Sequence, residues 1–206
     1  HLNVCVASGM TSLYQPNLEV LKLFEVLEPL ARVVDKVALQ TKRLDEIDEI
    51  KNLDFLKIDV QGAELQVFQS GKNKLKEAVV IQTEVSFVPL YHDQAGFGEI
   101  DIELRLQGFI PHCFAAVKKW PIAPMIINNE PRQPLNQLLE ADIVYVKDFS
   151  KPDLMTNEQL KHLAIIMHEV YGSWDLTLRC ICLLEQRQGI DDQSLQQQYI
   201  AYCSKG

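Results

Sequence analysis

Two acidic side chains, Asp59 and Glu84, lie near the ends of segments that we interpret as buried strands, Phe55–Val60 and Ala78–Val85. Neighbouring parallel strands bring their carboxyl ends to one edge of a sheet, where open α/β sheets bind ligands. A carboxylate in such a place is costly to bury without a partner. We therefore predict that Asp59 and Glu84 converge on one crevice. Carboxylates there can act as a general base, orient a hydroxyl group or hold a divalent ion.

Three residues near these acids have both a structural and a chemical interpretation. Glu64 falls in the first turn of the helix that follows, where a negative charge is favourable without any further role. Lys57 leaves the strand on the same face as Asp59, so we expect the two to form an ion pair. His92 follows in the loop after the next strand and is either a surface histidine or a group that reaches the crevice. Our candidate catalytic residues are Asp59, Glu84 and His92.

The pattern of apolar segments and turns predicts an α/β fold. Gly62 makes the turn after the first strand above, and Gly71 is placed to end the helix Ala63–Ser70. The other predicted strands are Leu2–Ala7, Arg32–Leu39, Ile110–Val117 and Ala141–Val146, and the other predicted helices are Asp45–Lys51 and Ile100–Leu106. Alternation of strands and helices implies crossover connections and a mostly parallel sheet. The segment Leu18–Leu30 fits either a helix or a strand, and Pro29 should stop any helix before it.

The chain changes character near residue 150. The segment Pro121–Pro134 holds four prolines and predicts a loop. After Pro152 no strand is predicted, and the helical segments are Asn157–Tyr171, Trp174–Gln188 and Asp192–Tyr202. We therefore predict an α/β domain over residues 1–150 and a helical C-terminal extension over residues 151–206. The apolar helices of this extension suit packing on the sheet or on a second copy, so a homodimer is compatible with the sequence.

Composition and charge exclude several classes of protein. A net charge of −8, from 20 basic and 28 acidic residues, disfavours binding to nucleic acid. No apolar run approaches the roughly 18 residues needed to cross a bilayer, so we expect no membrane partner. The five cysteines form no CxxC pair, which favours reduced thiols and a cytoplasmic protein. Cys180 and Cys182 would lie on different sides of a helix, so we expect no metal site there or elsewhere.

Several segments, in this order along the chain, resemble the FkbM family of S-adenosylmethionine-dependent methyltransferases. The central segment Phe55–Glu64 is similar to the (I/L)KIDVEGAE core of that family, with Gln61 at the position of the common glutamate. The other matching pieces are Arg43–Glu46 (RLDE), Thr83–Val85 (TEV), Tyr91–Phe97, Ile100–Asp101 and Gly108–Phe109. Together they cover about residues 2–147.

The resemblance implies a Rossmann-like class I methyltransferase sheet. It also implies transfer of a methyl group from S-adenosylmethionine to a hydroxyl of a sugar or natural-product-type small molecule. By this similarity Asp59 lies beside the methyl group or the acceptor, and Ala7, Ser8 and Asp59 contact the cofactor. If Leu2–Ala7 corresponds to the third strand of the family, the glycine-rich cofactor turn is not in this sequence. We therefore expect the sheet to be incomplete at its N-terminal side.

Two other functions are compatible with the same residues. The first is a non-catalytic methyltransferase-like domain that serves assembly or partner binding through the helices after Pro152. The second is a different α/β enzyme in which Asp59 and Glu84 hold a metal ion. Binding of S-adenosylmethionine separates the first of these from the methyltransferase hypothesis, and dependence on magnesium separates the second.

Overall fold

The computed structural model describes residues 1–189 and 194–204, which form two β-sheets flanked by helices. The strands are β1 (Leu2–Cys5), β2 (Val33–Val37), β3 (Phe55–Ile58), β4 (Val80–Ser86), β5 (Phe109–Lys119) and β6 (Leu138–Lys147). The α-helices are α1 (Leu18–Leu21), α2 (Leu27–Leu30), α3 (Glu64–Ser70), α4 (Lys72–Leu75), α5 (Phe97–Leu106), α6 (Asn157–Glu169), α7 (Trp174–Gln188) and α8 (Ser194–Cys203). Short 3₁₀ helices cover Ser8–Met10, Leu44–Glu46 and Pro152–Leu154.

The main sheet has the strand order β3-β4-β6-β5. β3 and β4 pair in parallel, whereas β6 is antiparallel to both of its neighbours, so β3, β4 and β5 all run in one direction. The expectation of a mostly parallel sheet is wrong for the hydrogen-bonded pairs. The reason is that β6 returns from β5 as a hairpin and enters between β4 and β5, and only a crossover connection would have made it parallel. The fold is therefore mixed α/β with a mixed sheet.

The N-terminal elements are shorter than the sequence pattern predicts. β1 and β2 form an antiparallel ribbon of their own and do not join the main sheet. The segment Leu18–Leu30 contains two single helical turns, and Pro29 lies inside the second, where its missing N–H costs no helical hydrogen bond. The predicted helix Asp45–Lys51 is reduced to the 3₁₀ turn Leu44–Glu46, in which only Leu44 is buried. A segment with so little apolar surface gains little from forming a longer helix.

The later elements are close to their predicted positions, with longer ends. β5 and β6 extend beyond the predicted segments because they pair with each other along most of their length. The proline-rich segment Pro121–Pro134 lies in the connection between them, as predicted. The predicted helix Asp192–Tyr202 begins outside the described residues, and its described part belongs to α8.

Two apolar layers cover the faces of the main sheet. On one face α3, α4 and α5 pack against β4 and β6 through Phe68, Leu75, Ile100, Leu104, Ile81, Ile143 and Tyr145. On the other face α6 and α7 pack against the same strands through Leu160, Leu163, Met167, Cys180, Val80, Val144 and Val146. The C-terminal helices therefore share a core with the sheet. In the described part of the chain, no helix has the length and apolar character needed to span a membrane.

Candidate functional site

The turn after β3 has a backbone conformation that few residue types adopt. Gln61 has φ +53° and Gly62 has φ +105°, both in the left-handed region. A Cβ atom on Gly62 would lie 3.2 Å from side-chain atoms of both Tyr14 and Gln94. Gly62 is therefore required by its conformation and by the close approach of these two side chains. The strained turn fixes the direction in which the preceding residue, Gln61, leaves the strand.

Glu64 stabilises this turn from the start of α3. Its carboxylate is buried and accepts backbone N–H groups from Val60 at 2.9 Å and from Gly62 at 3.0 Å. Burial raises the pKa of Glu64, and the backbone hydrogen bonds oppose that shift. The role of Glu64 is thus to close the turn, which is more specific than the favourable helix charge expected from the sequence.

The amide of Gln61 joins the two predicted acids. Its Nε2 atom donates to Asp59 Oδ1 at 2.6 Å and to Glu84 Oε2 at 3.0 Å. The Tyr91 hydroxyl lies 3.0 Å from Gln61 Oε1, which fixes the amide with its nitrogen towards the carboxylates. Asp59 is exposed, whereas Glu84 is 5% exposed. The two acids therefore converge as predicted, and both accept a hydrogen bond from the same atom, Gln61 Nε2.

A lysine from the neighbouring hairpin completes the cluster. Lys118 Nζ on β5 lies 2.6 Å from Glu84 Oε1 and 3.2 Å from Glu140 Oε2 on β6. Burial, followed by repulsion from Glu140, raises the pKa of Glu84 to about 7 in spite of Lys118. Burial also raises the pKa of Glu140, and the two carboxylates raise the pKa of Lys118. The cluster thus has one cation between two buried acids.

A groove of about 500 Å³ opens beside Asp59, between the β1–β2 ribbon and the turn after β3. Its walls are Leu2, Ser8, Gly9, Thr11, Ser12, Leu13, Leu39, Asp59, Val60 and Gln61. Leu13, Leu39 and Val60 are 42%, 43% and 40% exposed, so each presents apolar surface at the groove. The groove therefore combines apolar walls with one carboxylate and several hydroxyl groups, a combination typical of small-molecule sites.

The predicted site residues fall into two groups. Ser8 and Asp59 line the groove together, and Ala7 precedes Ser8 with its backbone N–H bonded to Leu30 O at 2.9 Å. Glu84 lies behind Gln61 and is not part of the groove wall. The side chain of His92 is exposed, and its backbone N–H is bonded to Gln15 O at 2.9 Å. The structure gives His92 no hydrogen bond to either acid among the described residues.

The expected ion pair between Lys57 and Asp59 is wrong. Lys57 is exposed, and among the described residues no ion pair joins it to Asp59. The hydrogen-bond partner of Asp59 is instead Gln61, which the turn brings back over the end of β3. Two residues on the same face of a strand are able to form an ion pair, but Asp59 instead bonds to Gln61, a polar residue of the turn.

Sequence patterns did not identify three residues of the cluster, which are Lys118, Glu140 and Tyr91. Lys118 lies one residue beyond the predicted strand Ile110–Val117, so no facing partner could be assigned to it. In the structure it stands opposite Glu140 in the β5–β6 register. Tyr91 belonged to the family pattern but carried no predicted contact with Gln61. A predicted hairpin between the last two strands would have been the signal for Lys118 and Glu140.

The arrangement of donors leaves no cation site in the cluster. Gln61 Nε2 lies between Asp59 and Glu84, where a bound ion would have to lie, and Lys118 takes the other oxygen of Glu84. Within residues 1–189 and 194–204, no group of three or more His, Cys, Asp or Glu side chains is arranged to hold a metal ion.

Comparison with known proteins gives one match. Residues 7–111, about half of the chain, match the family model described as the Methyltransferase FkbM domain. This range includes β2, the turn after β3, Glu84 and Tyr91, and it begins just after β1. No curated protein and no solved structure matches the chain.

Proposed function

Because this chain belongs to the FkbM methyltransferase family, we propose that it transfers a methyl group from S-adenosylmethionine to a hydroxyl of a small molecule. The observation that carries the proposal is the groove beside Asp59, in which an exposed carboxylate lies among apolar walls. The family match covers both sides of this groove, from Ser8 to Val60.

Several properties of the groove support binding of S-adenosylmethionine. A volume of about 500 Å³ lies within the range of roughly 300–1,000 Å³ common for ligand sites. Leu13, Leu39 and Val60 offer apolar surface for an adenine ring, and the hydroxyls of Ser8 and Thr11 are partners for a ribose. Asp59 supplies the negative charge that a cationic ligand needs. These residues would hold the cofactor.

The chain's own residues would orient the acceptor and take its proton. When bound, the cofactor would supply a methyl carbon that the acceptor oxygen attacks, while the carbon–sulfur bond breaks and leaves its electron pair on sulfur. Asp59 is the acid that reaches the groove, so it would accept the hydroxyl proton. The Gln61 amide donates to the Asp59 carboxylate and is itself held by Glu84, which favours alignment of the reacting groups.

The charge of the cluster bears on the acceptor. Asp59, Glu84 and Glu140 are three carboxyl groups against one ammonium group, that of Lys118, which is already paired. A phosphorylated or carboxylated acceptor would be repelled by this excess of acid. A neutral molecule with several hydroxyl groups, such as a sugar or a polyol-type natural product, fits the site better.

The topology supports a Rossmann-like arrangement of the sheet. β3, β4 and β5 run in one direction and are joined through α3 and α5, which lie on one face of the sheet. β3 lies at the outer edge of the strand order, directly beside the groove. In this arrangement the groove occupies the crevice at the carboxyl end of a parallel strand.

Isothermal titration calorimetry with S-adenosylmethionine tests the proposal. We expect saturable binding to the wild-type chain and about tenfold weaker binding to Asp59→Asn, because the charge–charge attraction is lost. Asp153→Asn, which changes an exposed aspartate in a 3₁₀ helix remote in sequence from the groove, is the matched control and should bind like wild type. If the folded wild-type chain binds no cofactor, the proposal fails and the non-catalytic alternative is favoured.

A further inference from the structure

We propose that Lys118 and Glu84 are positioning residues: contact with Lys118 favours the ionised form of Glu84, and Glu84 holds the Gln61 amide that orients Asp59. The inference rests on the proposed function only for the role of Asp59 in the groove. It assigns a role to the β5–β6 hairpin, which lies largely beyond the range of the family match.

The four side chains form one continuous chain of contacts. It runs from Lys118 Nζ to Glu84 at 2.6 Å, from Glu84 to Gln61 Nε2 at 3.0 Å and from Gln61 Nε2 to Asp59 at 2.6 Å. Only Asp59 and Gln61 line the groove. The effect of Lys118 on a ligand must therefore pass through the other members, and it is best described as positioning.

Glu84 is the member whose ionisation can vary. It is 5% exposed and loses most of its hydration, so an adjacent cation has a large influence on it. The charged groups that face it are Lys57 of β3, Asp59 just after β3, Glu140 and Asp142 of β6 and Lys118 of β5. The Tyr91 hydroxyl approaches from the loop after β4. Lys118 is the cation of this set that contacts Glu84, since no ion pair joins Lys57 to it among the described residues.

Protonation of Glu84 would weaken the orientation of Asp59. An ionised carboxylate is the stronger hydrogen-bond acceptor, so loss of its charge weakens the bond from Gln61 Nε2. The amide would then have one strong acceptor, Asp59, in place of two. Each proton of the Gln61 amide faces a different carboxylate, so its two NMR signals report on the two contacts separately.

A pH titration of the ¹⁵N-labelled full chain, followed through the Gln61 side-chain amide signals, tests this inference. The signals are assigned by their loss in Gln61→Glu. In wild type we expect one amide signal to move with a midpoint near the pKa of Glu84, about 7. Lys118→Met should raise the midpoint by about one pH unit or more, because a cation in contact is lost. Glu140→Gln should lower it, because a repelling acid is lost.

The matched variants make the outcome decisive. Lys118→Arg should keep the midpoint near wild type, since it keeps the charge. Lys119→Met removes the adjacent exposed lysine and should change nothing. The inference is overturned if Lys118→Met titrates like Lys119→Met, or if the wild-type amide signals do not respond to pH. Should Lys118→Met fail to fold, an unchanged midpoint in Glu140→Gln overturns it equally.

The titration contains no cofactor and no acceptor. If the protein shows the expected midpoints but binds no S-adenosylmethionine, the contacts from Lys118 to Asp59 are supported and the proposed function fails. If the protein binds the cofactor but the variants have the same midpoint as wild type, the proposed function is supported and this inference fails.

Discussion

One face of the main sheet is divided between a closed half and an open half. Alternate residues of β4 on this face are Val80, Gln82, Glu84 and Ser86, and their register partners on β6 are Val146, Val144, Asp142 and Glu140. The valines are buried under α6 and α7. Tyr171 marks the boundary, because its hydroxyl donates to Gln82 Oε1 at 2.8 Å. Beyond this boundary the same two strands carry acids.

Different interactions hold the side chains of the two halves in place. In the closed half, apolar burial against helices holds the side chains, and no polar partner is required. In the open half, three acids are held by named donors: Asp59 by Gln61, Glu84 by Gln61 and Lys118, and Glu140 by Lys118. Buried acids cost stability and are kept where a site needs them. We therefore propose the open half as the functional end of the sheet and the closed half as its support.

The largest expected effect on stability lies in the closed half. Leu160 on α6 is fully buried, so Leu160→Ala should lower the free energy of unfolding by about 2–5 kcal/mol. Ile165→Ala on the same helix, where the side chain is 60% exposed, should cost less than about 1 kcal/mol. Urea unfolding of both variants measures the difference. Equal losses would mean that α6 is not packed on the sheet as described.

A smaller loss is expected in the turn that leads to the open half. Glu64→Ala leaves the buried N–H group of Gly62 and the partly buried N–H group of Val60 without their acceptor, which should cost about 1–3 kcal/mol. The control is Glu99→Ala, which removes an exposed acid that accepts the Gly96 N–H at 2.8 Å and should cost about 0.5 kcal/mol. Chemical unfolding compares them. A loss in Glu64→Ala no greater than in the control would remove Glu64 from the support of the site.

A further effect is a dependence of stability on pH that comes from Glu84. Its pKa of about 7 in the folded chain lies above the ordinary value of 4.5, so the folded state keeps a proton that the unfolded chain releases. Its contribution to stability therefore falls as pH rises from about 4.5 to about 7 and stays constant above that range. In Glu84→Gln this decline should be absent. Unfolding of both proteins at pH 5, 6, 7 and 8 measures it, and parallel curves would contradict the assignment.

The sequence was most informative where local geometry decides the structure. The strand, turn and helix around Asp59, Gly62 and Ser70 occur as predicted, because β-rich residues, a glycine and a periodic apolar face all act within about 20 residues. The convergence of Asp59 and Glu84 followed from the general topology of parallel strands.

The parts that sequence could not predict depend on non-local pairing. The position of β6 between β4 and β5 depends on which strand of the sheet the hairpin pairs with, and no local sequence pattern predicts that pairing. Lys118 and Glu140 become site residues only through that placement. The hydrogen bond from Gln61 to Asp59 depends on the positive φ of Gln61. The sequence does not predict this conformation, because a positive φ is uncommon for residues other than glycine.

The most direct test of a ligand site at the open half is a backbone ¹H–¹⁵N titration of the chain with S-adenosylhomocysteine, the stable demethylated form of the cofactor. We predict that the signals that change belong to residues 8–13 and 59–61, on the two walls of the groove. Signals from α6 and α7, under the closed half, should stay unchanged. Changes confined to those helices, or no change at a saturating concentration, would contradict the central claim that the groove beside Asp59 is the cofactor site.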